Sequence, residues 1–189
     1  MNIIKLLTVY VLEEKKSKFI GNCLPYNDFT VQIKHLRKNH PKASHFVYAY
    51  RFLNNYDQIV ENQSDDGEPK GSSGKPVLAV LRGADLINTA MIIVRYFGGT
   101  KLGRGGLVRA YTHCAQKLIE HTSIEMYRKQ KDLTYEMSYS RLSSFEHLLK
   151  SFTLQDIEKN YNSSSVSVSF RISEDDVHRF NERYEQLRE

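Results

Sequence analysis

Aromatic and non-aromatic residues alternate strictly between His45 and Phe52, which predicts a β-strand with two different faces. One face carries only aromatic rings, those of Phe46, Tyr48, Tyr50 and Phe52. Period-2 and period-3.6 patterns predict the neighbouring elements in the same way. They give a hairpin of strands at 8–11 and 18–23, a helix from 29 to the residues before Pro41, a strand at 58–63, a helix at 77–82, a strand at 90–97 and a helix at 107–119.

The pattern changes at a charged connector, residues 126–131, so we expect two domains, 1–126 and 127–189. The second domain is predicted to contain a strand at 133–139, a helix at 142–152, strands at 154–160 and 166–172, and a helix at 174–187. This β-α-β-β-α order fits a ferredoxin-like domain that is short of its last strand. Ser173 stands where it would cap the final helix.

A segment rich in glycine and basic residues, Arg95–Tyr111, joins a predicted strand to a predicted helix. A helix that begins after such a strand exposes backbone N–H groups, and these attract anions together with the helix dipole. We therefore regard it as a candidate phosphate or nucleic-acid site. Its residues would be Arg95, Gly98, Gly99, Lys101, Gly103, Arg104, Gly105, Gly106 and Arg109. The alternative, which the residues leave open, is that the glycines serve tight turns and close helix packing.

The segment matches no standard phosphate-binding motif. A P-loop needs Ser or Thr after the lysine, but Leu102 follows Lys101. The dinucleotide fingerprint, counted from Gly103, would need glycine at Val108. The indication of an anion site is therefore physical rather than motif-specific.

An acidic loop, Ser64–Pro69, is the second candidate site. Asp65, Asp66 and Glu68 could hold Mg²⁺ or act as acid and base. They could instead belong to a solvated turn, or pair with Arg51, Arg95 or Lys101 inside the fold. The spacing does not fit an EF-hand loop, and the sequence leaves these three interpretations open.

Charge is distributed unevenly along the chain. Residues 1–125 carry 17 Lys and Arg against 11 Asp and Glu, a net charge of +6, whereas residues 126–189 carry 10 against 11, a net charge of −1. The positive excess lies in the part with the glycine-rich segment, which favours an anionic partner for the first domain.

Tyr48 and Tyr50 resemble a base-stacking platform, but alternating aromatic residues more often form half of a core. Cys23 and Cys114 lack metal-site spacing and are expected to be buried thiols.

Two blocks in this order resemble the signature of the IMPACT/YigZ family. The first is Ser64–Pro69 with Gly71, Gly74 and Pro76, and the second is Arg95–Gly99, Lys101–Gly103 and Gly105–Tyr111. Lys70, Ser73 and Lys75 depart from that pattern. The resemblance implies an α+β protein with an N-terminal domain like ribosomal protein S5 domain 2 and a ferredoxin-like C-terminal domain. It also implies a role in translation, because eukaryotic members look like translational regulators.

We therefore expect a cytoplasmic, non-enzymatic protein that binds RNA or the ribosome and modulates translation, with no cofactor, no resident metal and no membrane contact. No recognisable nucleophile or base is present, which argues against an enzyme. One alternative is a metal-assisted enzyme that acts on a nucleotide or a phosphorylated metabolite. Another is a module that only contacts a protein partner in translation. If the two motif loops line a closed pocket, the enzyme is favoured, whereas an open basic groove favours nucleic acid.

Overall fold

A computed structural model describes residues 1–188 and divides the chain into two compact units, Met1–Tyr127 and the part that begins at Arg128. The first unit has seven strands: β1 (Asn2–Ile4), β2 (Thr8–Glu14), β3 (Ser17–Pro25), β4 (His45–Leu53), β5 (Ile59–Ser64), β6 (Thr89–Tyr96) and β7 (Ile124–Met126). Five of them form one antiparallel sheet in the order β2-β3-β6-β4-β5. The alternating segment forms β4, as predicted, and pairs with β6 on one side and β5 on the other.

Three helices cover the two faces of this sheet: α1 (Phe29–Asn39), α2 (Gly74–Gly83) and α3 (Gly103–His121). The aromatic face of β4 packs with α1, where Tyr48 and Tyr50 lie against Phe29. The other face packs with α2 and α3, and its core includes Val47, Ala49 and the predicted apolar stripe of α3. Both cysteines are buried thiols on this side, and burial raises the pKa of each to about 12.

The topology places the starts of α2 and α3 at the same edge of the sheet. β5 and β6 each pair antiparallel with β4, so they run parallel to each other. α2 follows β5 and α3 follows β6. Both helices therefore begin at the edge where these strands end, which we call the junction edge. The positive ends of both helix dipoles lie there.

The hydrophobic pattern did not predict a small second sheet in the first unit. β1 pairs antiparallel with β7, with Asn2 opposite Met126. Each strand has three residues, too few for a periodic pattern to stand out. The pairing joins the start of the unit to the segment that follows α3.

The second unit consists of β8 (Gln130–Ser138), α4 (Tyr139–Leu149), β9 (Leu154–Tyr161), β10 (Ser165–Ser173), a 3₁₀ turn (Glu174–Asp176) and α5 (Val177–Arg188). Its sheet has the order β8-β10-β9, with β10 antiparallel to both neighbours. This is the ferredoxin-like arrangement over the residues that the structure describes, and the predicted α+β class is confirmed. Within residues 1–188, every helix is too short or too polar to cross a lipid bilayer.

One prediction about this unit was wrong. Ser173 precedes the 3₁₀ turn, but its side chain makes no capping hydrogen bond. Its hydroxyl is buried and has no hydrogen-bond partner among the described residues. The helical segment begins as a tight 3₁₀ turn, which satisfies its first N–H groups differently from an α-helix.

Candidate anion-binding site at the junction edge

Two residues that sequence reasoning assigned to separate sites form one buried ion pair. The Arg95 side chain is 5% exposed and the Glu68 side chain 3%, and Arg95 Nη1 lies 2.6 Å from Glu68 Oε1. The Tyr111 hydroxyl donates to the same carboxylate oxygen at 2.8 Å. Burial, followed by the negative charge and hydrogen bond of Glu68, raises the pKa of Tyr111 well above its ordinary value. Arg95 thus connects the end of β6 to the acidic loop and to α3.

His45 lies beside this pair and has a defined orientation. Its Nδ1 is 2.8 Å from the backbone carbonyl of Asp66, which can only accept, so Nδ1 carries the proton. Its Nε2 then faces Glu68 Oε2 at 3.8 Å. His45 therefore joins β4 to the acidic loop through a hydrogen bond to the backbone.

Asp65 organises the start of α2. Its carboxylate accepts hydrogen bonds from the backbone N–H groups of Gly71, Ser73 and Gly74 and from the Ser73 hydroxyl. Burial raises the pKa of Asp65, but these hydrogen bonds together outweigh it, and the pKa lies below its usual range. The chain's own carboxylate therefore occupies the anion-attracting end of α2.

Asp66, like Asp65 and Glu68, is bound by partners within the fold. It accepts from the Arg37 side chain at 2.8 Å and from the backbone N–H of Phe46 at 2.6 Å. Of the three interpretations of this loop, ion pairing inside the fold describes Glu68 and Asp66, with Arg37 as a partner that the sequence did not indicate. Within residues 1–188, His, Cys, Asp and Glu side chains form no group of three or more suited to a metal ion.

The glycines of the junction fall into two kinds. A Cβ atom on Gly98 would lie 2.0 Å from the backbone carbonyl carbon of Lys16, so Gly98 permits close packing of the glycine-rich loop on the β2–β3 turn. Gly99 and Gly103 have φ of +84° and +70° and open space beside them. Gly105 is also open apart from Arg109, whose Nη1 lies 3.6 Å from its Cβ position. The structural interpretation therefore fits Gly98 by close packing and Gly99 and Gly103 by their left-handed backbone. A Cβ on Gly106 would lie 3.1 Å from the Leu102 Cβ, so Gly106 is closely packed as well.

Five basic side chains surround the junction edge without an acidic partner. They are Lys70, Lys75, Lys101, Arg104 and Arg109, and none of them has a carboxylate within salt-bridge distance in the described part of the chain. Arg104 Nη2 donates to the backbone carbonyl of Lys70 at 2.8 Å, which holds the two motif loops together. Arg109 points back toward Gly105 at the start of α3. We call these five residues the basic cluster.

Sequence reasoning found three members of the basic cluster and missed two. Lys70 and Lys75 were noted only as departures from the family pattern. Lys70 and Lys75 lie before and within the first turn of α2. Because β5 and β6 both lead into helices at the junction edge, residues at the start of α2 are expected near the start of α3. Recognising this requires the parallel relation of β5 and β6, which depends on their common partner β4.

An open groove of about 1030 Å³ runs between α2 and α3 next to the basic cluster. Its walls are mainly small and apolar residues, with Lys75 at one end: Gly71, Lys75, Pro76, Ala79, Val80, Gly83, Ala84, Val108, Thr112, Gln116, Ile119 and Glu120. The groove is open and mainly apolar, so it is neither the closed pocket expected of an enzyme nor the open basic groove expected of a nucleic-acid binder. Lys75 is the one member of the basic cluster among its lining residues, which also include Glu120.

The exposed sheet face of the second unit has the opposite charge character. Arg171 forms ion pairs with Asp132 and Asp156, each at 3.0 Å. Glu136 and Glu158 lie at positions paired with Ser167 and Ser169 of β10. This face therefore has an excess of acidic side chains, which disfavours contact with phosphates.

Comparison with known proteins identifies relatives of the whole chain. The model of the Impact N-terminal domain matches residues 15–119. YigZ of Escherichia coli is 36% identical over 146 residues, which cover 75% of this chain and 71% of YigZ. A protein of Haemophilus influenzae described as an IMPACT family member is 29% identical over 93% of this chain and 86% of its own length. A crystal structure described as a hypothetical protein has a TM-score of 0.69 at 28% identity and covers 98% of this chain and 91% of its own.

Proposed function

This chain belongs to the IMPACT family, and we propose that its first unit binds RNA through phosphate contacts at the junction edge and thereby modulates translation. The observation that carries the proposal is the basic cluster. Between residues 69 and 119 the chain has eight Lys and Arg and one acidic residue, Asp85. Arg82, Arg95 and Lys117 pair with Glu61, Glu68 and Glu120, whereas the five members of the cluster have no carboxylate partner within residues 1–188.

The start of α3 supports the same conclusion. At α2 the carboxylate of Asp65 already occupies the first N–H groups. At α3, Leu102 stands at the capping position and cannot supply a side-chain acceptor. The N–H groups at this end thus face an edge with Lys101, Arg104 and Arg109, where an RNA phosphate could accept from backbone and side chains together.

Translation is the process that the family resemblance implies, so the RNA we expect is ribosomal or associated with the ribosome. The second unit would contribute through protein contacts, because its exposed sheet face is acidic. Chemistry by Asp65, Asp66 and Glu68 is disfavoured, since each of these carboxylates is already held by partners within the fold.

The test is RNA binding as a function of salt concentration. A Lys101→Ala, Arg104→Ala, Arg109→Ala triple variant removes three phosphate contacts, and the slope of log K against log salt should fall in magnitude by about 2 for a single strand. The matched control is Lys34→Ala, Lys38→Ala, Lys42→Ala, which removes the same charge on and after α1, on the other face of the sheet. If both triple variants gave the same slope of log K against log salt, phosphate contacts specific to the junction edge would be disproved.

A further inference from the structure

Phe97 is an exposed aromatic residue within the basic environment of the junction edge. It follows β6 directly and is 49% exposed. A single exposed apolar residue is ordinary on a protein surface, so exposure alone indicates nothing. Its significance lies in its position, between the buried end of β6 and the loop that leads to Lys101 and Arg104.

The backbone around Phe97 is held on both sides. Its N–H donates to the Ser44 hydroxyl at 3.4 Å, and the N–H of the next residue, Gly98, donates to Ser17 Oγ at 3.2 Å. Gly98 is also packed against the backbone of Lys16, where there is no room for a side chain. Phe97 is therefore an exposed ring on a fixed backbone, which limits the entropy that it loses when a ligand orders it.

A buried cation lies on one side of the ring. Arg95 Cζ is 5.8 Å from the ring centroid of Phe97, within the range of a cation–π interaction. The Arg95 guanidinium is fixed in turn by Glu68 and Ser17. The ring is thus supported from inside the unit, while about half of the residue's surface remains open to solvent.

The basic cluster lies within the reach of a nucleotide from this ring. Lys101 lies four positions after Phe97, and a chain segment of four residue steps spans at most about 14 Å. The left-handed backbone at Gly99 shortens this path further. A base resting on Phe97 would consequently have its own or a neighbouring phosphate close to Lys101.

We propose that Phe97 stacks an unpaired nucleobase, so that the RNA bound at the junction edge is single-stranded there. This inference rests on the proposed function and makes it more specific. The aromatic face accepts any base, because every base has a π-face, whereas bases in a duplex are already stacked and are not available to it. The lysine and arginine residues supply affinity through phosphates, and Phe97 selects single strands.

The experiment compares binding of an oligoadenylate of roughly 12 nucleotides with the same strand paired to its complement. Phe97→Leu should weaken single-strand binding at least about fivefold while leaving the salt slope unchanged, because it removes a stack and no phosphate contact. Phe97→Tyr should bind like the wild type, since it keeps the ring. Tyr56→Leu is the matched control, an 83% exposed aromatic in the turn after β4, at the opposite edge of the sheet.

A direct signal is also available because the chain contains no tryptophan. In Phe97→Trp the single indole should lose fluorescence when the single strand binds, and much less with the duplex. If Phe97→Leu binds the single strand as tightly as the wild type does, the stacking proposal is wrong, while the proposed phosphate contacts stand. A wild-type chain that binds neither RNA form would overturn the proposed function and the stacking together.

Discussion

Arg95 and Glu68 form a 2.6 Å ion pair inside the first unit, and with it the glycine-rich segment and the acidic loop become parts of one structure. Because both side chains are buried, removing one of them leaves the other charge without compensation. We expect Glu68→Gln and Arg95→Met each to lower the free energy of unfolding by about 3–5 kcal/mol. Urea denaturation followed by circular dichroism measures this change.

The double variant Glu68→Gln, Arg95→Met separates pairing from simple loss of packing. If the two charges compensate each other, the double variant should lose markedly less stability than the sum of the single losses. Additive losses would show that the pair contributes nothing as a pair. Tyr111→Phe, which removes the second donor to Glu68, should cost about 1–2 kcal/mol by itself.

Asp65 makes the stability of the first unit depend on pH with a definite sign. Its pKa is lowered in the folded chain because four hydrogen bonds outweigh the effect of burial. A lowered pKa means that this stabilisation is present above the ordinary aspartate pKa of about 3.9 and is lost as the pH falls through the folded-state value. The stability difference between the wild type and Asp65→Asn should therefore shrink as the pH is lowered from 7 toward 3.

The control for this measurement is Asp28→Asn. Asp28 stands at the start of α1 but makes no capping hydrogen bond. Its replacement should leave the pH dependence of unfolding close to that of the wild type. A pH profile of Asp65→Asn parallel to that of the wild type would contradict the assigned hydrogen bonds.

The fold could be predicted from the sequence wherever the hydrophobic pattern is local, whereas the candidate site could be predicted only in part. Alternation at β4 and the apolar stripe of α3 mark their elements because burial imposes their periods. Arg95 was one of three partners considered for the acidic loop, but the sequence could neither single it out nor indicate Arg37, since Glu68 and Arg95 are 27 residues apart and Asp66 and Arg37 are 29 apart. Such pairs follow from the order of strands in the sheet, which no single segment encodes.

Replacing Ser173 tests the predicted helix cap, which the structure contradicts. A capping serine would cost about 0.5–2 kcal/mol when replaced by alanine. The observed hydroxyl is buried and has no hydrogen-bond partner in the described part of the chain, so its removal relieves a desolvation cost. We expect Ser173→Ala to leave stability unchanged or to raise it, as thermal unfolding can show, and a clear loss would restore the capping role.

Gly98 and Gly83 offer the sharpest test of how the glycines of the first unit are used. A Cβ on Gly98 would meet backbone atoms of Lys16 and Ser17 at 2.0–2.3 Å, and backbone cannot rotate away as a flexible side chain can. We expect Gly98→Ala to lower the free energy of unfolding by about 1–3 kcal/mol. Gly83→Ala, at the last position of α2 with nothing within 4 Å, should be neutral or stabilising by up to about 1 kcal/mol. If both variants behaved alike in chemical denaturation, the contact between the glycine-rich loop and the β2–β3 turn would not form as described, and the fixed position of Phe97 would lose its support.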